Sequence, residues 1–491
     1  MAPSVLITTE GTYPYFKGGV STWCDQIIRN LPDVDFHLFA VVPSPKQPIA
    51  YTLPPNIRSC RPFPLWGTEL PGRQEAIFSH TYARRVRTTD QLVEERFSRP
   101  FEAVVRSVLE PSAPPEHLAE SLLNLQTYFE EFDYASTMKS HEAWEIFLDG
   151  CCRYLPRPER PNLEEATTCM RWLLRYLSVL AVTYPQVDVV HASMAGLAGV
   201  PGTLSKLRYG SAYLLSEHGI YLRELYLSLS RMPYSYRCRR FLHSLNSALV
   251  RMNYRYADCL TSLGEFNRRW QLRLGADAGK ILFVPNGVDP RVFQPREGKR
   301  PAQLTVVTIA RIYPLKGIDS LLRAAAIVHR SLPDVKFRIF GEVADQPYYE
   351  GCLKIVAEGG LGRVVEWGET FEPAEVYKAA HVFVLPSVSE GMPYSVIEAM
   401  LSGCPVVASD VGNVAEVVAG AGVLVTPKDH EGLAGALLTL LDGPGAAARR
   451  EHLAARGLAR ARQEYTIEKC VGRFERLYEV LRTCGETYQT A

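Results

Sequence analysis

Glu390 and Glu398, with seven residues between them, flank a turn that leads from the apolar run Val382 to Leu385 into a helix. Pro393 suits the first helical position, where a missing N–H costs nothing. The spacing therefore predicts Glu390 on the loop and Glu398 about two turns into the helix, on a face directed back toward it. The amides of Gly391 and Met392 form a positive helix N-terminus, which attracts phosphate. One turn thus combines an anion site with two carboxylates suited to hold hydroxyls or face a developing cation. A nucleotide sugar needs both. A capped helix with two solvated glutamates is the plainer account of the same nonapeptide.

A second loop carries the complementary charge. Thr305 to Ala310 reads as a buried strand, followed by Arg311 and Lys316, Gly317 and an apolar-periodic helix from about Ile318 to Val328. Open α/β sheets bind ligands at the C-terminal ends of their strands, where both cations sit. An arginine that forks onto phosphate oxygens and a lysine acting as a point charge suit a diphosphate. Two unrelated surface cations are the alternative.

Three weaker signals lie in the first half. Val5 to Thr9 reads as a strand, then Gly18 and Gly19 precede a helix from about Val20 to Asn30 and let the backbone approach a ligand closely. The loop is not a G-x-G-x-x-G fingerprint, and a tight turn explains it equally. Val187 to Val190 runs into His191, and Ala212 to Ser216 runs into Glu217, His218 and Gly219. A lone histidine beside a strand is commonly structural, but two at successive strand ends favour a ligand site.

The elements that position these residues follow a β/α pattern. Residues 1–60 read as strand, loop, helix, strand, with Phe36 to Val42 the second strand. Residues from about 85 to 183 show only helical patterns broken by prolines, an α-helical insertion. Strands return at 187–190, 212–216, 258–261 and 281–284, closing an N-terminal domain of residues 1–285. Residues 286–302, rich in Pro, Gly and Arg, read as a linker. Residues 303–465 alternate strands (304–310, 336–340, 364–367, 382–386, 405–409, 423–426) with helices, the pattern of a parallel sheet covered on both faces. The fold class is α/β with two Rossmann-like domains, and two such domains facing one another leave a cleft for substrate.

Composition agrees with a globular enzyme. At 491 residues the chain exceeds the ~250–300 residues of a single core. A net charge of +1 gives no case for nucleic acid. No apolar run approaches the ~20 residues of a membrane helix, and Met1 leads directly into the first strand, so a cytoplasmic protein without signal peptide is expected. The eleven cysteines are scattered without a C-x-x-C pair, which fits reduced thiols. Between Leu225 and Ala257 there are six arginines and no acid. A membrane-surface or partner-binding helix is one reading; a helix pair with a solvated basic face is favoured. Asp33-Val34-Asp35 mimics a metal-binding D-x-D but sits at a strand start, where a turn is expected. No metal site is expected elsewhere.

Taken together, Glu390-x7-Glu398, Arg311 with Lys316, Gly18-Gly19, Glu217-His218-Gly219 and Pro285-Asn286-Gly287-Val288-Asp289 resemble the retaining GT-B glycosyltransferases of family 4. The resemblance is closest to the PelF-type exopolysaccharide glycosyltransferase branch, through Glu10-Gly11-Thr12-Tyr13-Pro14-Tyr15, Glu217-His218-Gly219-Ile220-Tyr221 and Thr261-Ser262-Leu263. Asn267-Arg268-Arg269 before Leu274-Gly275-Ala276-Asp277 adds to it. The chain departs from that branch at Met194-Ala195-Gly196-Leu197 and at Glu342-Val343-Ala344, near the expected acceptor and nucleotide pockets.

The resemblance implies metal-independent transfer of a hexose, with retention, from a nucleotide sugar to a saccharide or other hydroxyl acceptor. UDP-glucose is the donor it favours, and there is no cofactor. Arg311, Lys316 and the amides of Gly391 and Met392 would stabilise the leaving phosphate. Glu390 would hold the sugar, Glu398 the ribose, His218 the sugar or its anomeric oxygen, and Gly18 and Gly19 the diphosphate, with His191 and Tyr15 on the acceptor side. It further implies that residues 466–491 form a helix returning to the N-terminal domain. Peripheral association with a membrane polysaccharide-synthesis complex is compatible with it. A GT-B sugar epimerase or phosphorylase, or a non-catalytic nucleotide-binding subunit of such a complex, is the alternative on the same fold.

Overall fold

The computed structural model describes residues 2–67, 77–298, 300–370 and 372–489, with side chains as far as Thr483. The chain divides into two compact units. One comprises Met1–Ser262, Arg268–Leu282 and Phe474–Ala491; the other comprises Leu263–Asn267 and Phe283–Arg473.

The first unit is built on a seven-stranded sheet: β1 (Ser4–Glu10), β2 (Asp35–Val42), β3 (Ile57–Pro64), β4 (Val189–Ala192), β5 (Ala212–Glu217), β6 (Cys259–Ser262) and β7 (Ile281–Phe283), in the order β3-β2-β1-β4-β5-β6-β7. β1 pairs in parallel with both β2 and β4, so the strand order reverses beside it. Strand β3 was not expected from sequence. It carries Pro62 and Pro64 and buries only its last two residues, Phe63 and Pro64, leaving Arg58, Ser59 and Pro62 exposed, which suits an edge strand and hides the apolar signal. Strand β4 begins two residues later than the apolar run suggested. His191 therefore lies inside the strand rather than beyond its end.

Between β3 and β4 the described chain is helical from Phe78 to Ala181. Phe97, Phe101, Leu122, Leu125, Phe147 and Leu173 face inward from these helices and share one core with Phe39 and Val190 of the sheet. The basic segment forms helices Tyr221–Leu229 and Tyr236–Tyr256. The longer one buries Phe241, Leu245, Leu249 and Met252 against the same core. Its arginines reach the insertion: Arg237 to Glu165 at 3.3 Å, Arg240 to Glu159 at 2.5 Å, Arg255 to Glu116 at 2.5 Å, and Arg251 Nη1 to the Pro111 carbonyl at 2.6 Å. The segment lacks acids because its partners are supplied from elsewhere in the chain. Asp35, in the apparent D-x-D, opens β2 and pairs with Arg58.

The second unit holds a six-stranded, wholly parallel sheet: β8 (Thr305–Ile309), β9 (Lys336–Phe340), β10 (Val365–Gly368), β11 (Val382–Leu385), β12 (Val406–Ser409) and β13 (Val423–Val425), ordered β10-β9-β8-β11-β12-β13. Strands β11 and β12 are buried throughout, as continuous Val-rich runs covered by helices on both faces must be. The expected linker does not start at residue 286. Asn286 is buried and donates Nδ2–H to the Met392 carbonyl at 2.9 Å, and Val288 N–H donates to Tyr465 O at 2.9 Å. These contacts place the stretch in the second unit. The last helix, Ile467–Gln489, changes unit at Phe474. Phe474 then packs 5.4 Å from the Trp23 ring, and Tyr478 packs 6.2 Å from that of Phe36.

Candidate functional site

In the second unit the strand order turns back between β8 and β11, and the loops leaving these two strands carry the charged residues. Parallel sheets bind ligands at such a point because the two loops diverge to opposite faces. Here the loops are also tied together. Val388 N–H donates to Leu315 O at 2.8 Å. Gly317 adopts a φ of +64°, and a Cβ there would lie 2.1 Å from the Pro386 carbonyl oxygen, so only glycine permits this approach.

The closure brings Lys316 and Glu390 together. Lys316, at the end of the short turn Pro314–Lys316, places Nζ 2.6 Å from Glu390 Oε1, and Ser387 Oγ donates to the same oxygen at 2.6 Å. The two charged side chains are 19% and 9% exposed, which makes the pair semi-enclosed rather than a surface ion pair. Arg311 differs. It is exposed, with its guanidinium 5.4 Å from the Tyr313 ring centre. Among the described residues, one cation of the expected pair is thus engaged by a carboxylate and the other points to solvent.

The turn after Glu390 departs from its sequence reading at Pro393. That residue is the N-cap, in extended conformation, and the helix runs Tyr394–Leu401, so Glu398 stands little more than one turn in. Gly391 O accepts from Asn413 N–H at 2.9 Å, and Gly412, at φ +59°, leaves no room for a side chain against Glu390 O. The Met392 side chain is buried in the apolar core, so only its backbone faces the turn. Glu398 Oε2 accepts from Tyr377 OH at 2.9 Å. Burial pushes its carboxyl up to about 7, against the smaller lowering effect of that hydrogen bond. Ser387 and Tyr377 were not singled out from sequence. Ser387 had a signal, three residues before Glu390 on the same loop; Tyr377, 21 residues before Glu398, had none.

In the first unit, Gly18 caps the helix Gly19–Asn30, and a Cβ built on it meets nothing within 4 Å. Packing within the chain therefore does not require glycine there. His218 follows β5 directly, its ring 4.5 Å from that of Trp23 on the Gly19–Asn30 helix. Beside it Glu217 is buried and accepts from Tyr254 OH, and burial pushes its carboxyl up to about 7. Glu10, at the end of β1, is held above the usual carboxylate range by burial and lies 3.4 Å from Tyr221 OH.

Both residues expected on the acceptor side are buried in the first unit. His191 is fully buried, with Nδ1 2.7 Å from Tyr478 OH and Nε2 2.7 Å from Ser216 Oγ. Both nitrogens are thereby used within the core. Burial, reinforced by the nearby His218, lowers its pKa to about 3, which keeps it neutral. Tyr15 is 7% exposed and packs with Ala40 and Val42, leaving it little surface to offer an acceptor. Among the described residues, no group of three or more His, Cys, Asp or Glu side chains is placed to hold a metal ion.

Residues 303–443 match the family described as glycosyl transferases group 1. A sucrose-phosphate synthase from Thermosynechococcus elongatus superposes with a TM-score of 0.62 at 19% identity, covering 99% of this chain and all of that one. Anabaena Alr3699/HepE, solved in complex with UDP and glucose, superposes at 0.61 and 15% identity over 98% of this chain and all of that one. The shared fold is GT-B, with two parallel-sheet Rossmann-like domains. The MMP alpha-(1->4)-mannosyltransferase of Mycolicibacterium hassiacum is 36% identical over 171 residues, 34% of this chain and 40% of that protein. The D-inositol 3-phosphate glycosyltransferase of Segniliparus rotundus is 36% identical over 183 residues, 34% of this chain and 41% of that protein. The chain thus spans well under two thirds of the length of these curated relatives. The N-terminal residues 3–279 match the family described as a domain of unknown function, DUF3492. With more than half of its length in that match and a group 1 glycosyltransferase region following it, the chain belongs to the DUF3492 family.

Proposed function

We propose that this chain is a retaining hexosyltransferase of the family-4, PelF-like kind. It transfers glucose or a related hexose from a UDP-sugar to a saccharide or other hydroxyl acceptor in exopolysaccharide or glycoconjugate synthesis. The observation that carries the reading is the Lys316–Glu390–Ser387 cluster where the β8 and β11 loops meet. The glycosyl transferases group 1 match and the UDP and glucose in the HepE structure support it. A cytoplasmic location and peripheral attachment to a membrane polysaccharide-synthesis complex belong to the same proposal.

In this mechanism the bond between the anomeric carbon and the β-phosphate oxygen breaks while the acceptor oxygen bonds to the same face. The acceptor proton passes to the departing phosphate. Arg311 and Lys316, with the amides of Gly391 and Met392, stabilise the charge that develops on that phosphate. Lys316 has three N–H donors, so it can hold Glu390 and a phosphate oxygen together. Glu390, oriented by Lys316 and Ser387, faces the sugar as it gains cationic character, and Glu398 holds the ribose. His218, Gly18 and Gly19 of the first unit take the roles the family resemblance gives them.

The test is to incubate the purified chain with a panel of nucleotide sugars and saccharide acceptors and to assign the product anomer by NMR. An α-linked product from an α-configured UDP-hexose is expected. A β-linked product, or no release of nucleoside diphosphate from any donor, refutes the proposal.

A further inference from the structure

The helix Phe78–Arg87 sits inverted on the first unit. None of its residues is buried. Phe78, Tyr82 and Val86 recur every fourth residue on one face and are 82%, 60% and 60% exposed, and Ile77, just before the helix, is 65% exposed. Its less exposed positions are Thr81, Ala83 and Arg84. Phe78 and Tyr82 stack on each other, ring centres 6.2 Å apart and 19° from parallel. Surface helices normally turn such a stripe to the core, and contiguous exposed apolar groups mark interaction sites. The rest of the circumference is basic: Arg84, Arg85 and Arg87, with His80 and no acid in the helix. Among the described residues, those three guanidinium groups enter no hydrogen bond or ion pair.

We propose that this helix docks on the surface of an anionic lipid bilayer. The aromatic side chains would enter the boundary between headgroups and acyl chains, and the exposed Arg85 and Arg87 would hold lipid phosphates. An apolar face with aromatics beside an arginine-rich face is the pattern of interfacial helices, and positive charge without acid complements an anionic leaflet. No helix of the described residues is long and apolar enough to cross a membrane, so the contact is one of surface attachment. A second copy of the chain fits less well, because twofold pairing through one face brings the two sets of arginines together. A single short helix gives weak, reversible attachment. The proposal rests on this helix alone and does not depend on the transfer reaction.

Cosedimentation of the full chain with vesicles tests it, using phosphatidylcholine alone and an equal mixture with phosphatidylglycerol. Binding to the mixed vesicles only is expected, falling as salt is raised. Phe78→Ser/Tyr82→Ser should abolish it, and Arg85→Glu/Arg87→Glu should weaken it at least about fivefold per charge removed. With no buried residue in the helix, both variants should melt where the native chain does. Failure of the native chain to sediment, equal capture by neutral vesicles, or unchanged binding by both variants overturns the proposal. A dimer abolished by Phe78→Ser/Tyr82→Ser, or a melting temperature lowered several degrees by it, overturns it equally.

Discussion

Lys316 and Ser387 converge on one oxygen of Glu390, each at 2.6 Å, across loops whose key residues lie 74 positions apart in sequence. The carboxylate is therefore oriented before any ligand arrives. The lysine read from sequence as a phosphate contact is also the charged partner of Glu390 in a semi-enclosed position.

Lys316 and Arg311 should accordingly behave differently when truncated. Arg311→Ala removes an exposed cation and should leave the melting temperature unchanged while lowering turnover about 10²–10³-fold. Lys316→Ala should lower turnover by a similar factor and also destabilise the fold by about 1–3 kcal/mol, because Glu390 loses its charged partner. Adding Glu390→Gln to Lys316→Ala should restore most of that stability but no activity. Thermal unfolding and initial rates of the three variants decide it; a stability cost for Arg311→Ala equal to that for Lys316→Ala would contradict the geometry.

Transfer should survive chelation. In the proposed mechanism Arg311, Lys316 and the amides of Gly391 and Met392 stabilise the leaving phosphate without a metal ion, so rates with excess EDTA should match those without it. Loss of activity that Mg²⁺ or Mn²⁺ restores would mean the leaving phosphate is stabilised in another way.

Stability should respond to pH in two opposed ways. Burial holds His191 at about 3, below its ordinary 6.5, so the unfolded chain binds more protons between those values. The stability this residue contributes is complete above pH 6.5 and is lost as pH falls. Glu398 is raised from 4.5 to about 7, so the folded chain holds the extra proton, and its contribution is complete below 4.5 and lost as pH rises through 7. That displacement corresponds to on the order of 3 kcal/mol at about 1.4 kcal/mol per pH unit. In urea unfolding at pH 5 and pH 8, Glu398→Gln should gain stability relative to the native chain at the higher pH. His191→Ala should cost about 2–4 kcal/mol at pH 8 and less at pH 5. A pH-independent difference for either variant would show that its group titrates normally.

The same residues show how far sequence reaches. The Val-rich strands of the second unit were legible because each is a continuous apolar run between turns, and the β8 and β11 loops followed from them. Strand β3 was not legible, since an edge strand with Pro62 and Pro64 carries no such run. His191 was placed one strand end too far out because a shift of two residues separates a loop ligand from a core residue. The pairing of Lys316 with Glu390 depends on the Gly317 contact with Pro386, a tertiary relation that no local pattern encodes.

The two glutamates of the turn should separate kinetically. Glu398 lies in the helix, with Tyr377 fixing one oxygen, and is assigned to the ribose, which is bound equally before and during reaction. Glu398→Gln should then weaken UDP binding and raise KM with little change in kcat. Glu390 is assigned to the reacting sugar, which UDP alone lacks, so Glu390→Gln should leave UDP affinity nearly intact and lower kcat. Contacts that strengthen only in the transition state appear in kcat, whereas uniform binding appears in KM. The Lys316 contact adds a condition. Replacing Glu390 by Gln leaves Lys316 with one fewer anionic partner, so UDP affinity should if anything rise slightly. Calorimetry with UDP and steady-state kinetics on both variants measure this, and an equal loss of UDP affinity in the two would mean that the roles assigned across the turn are wrong.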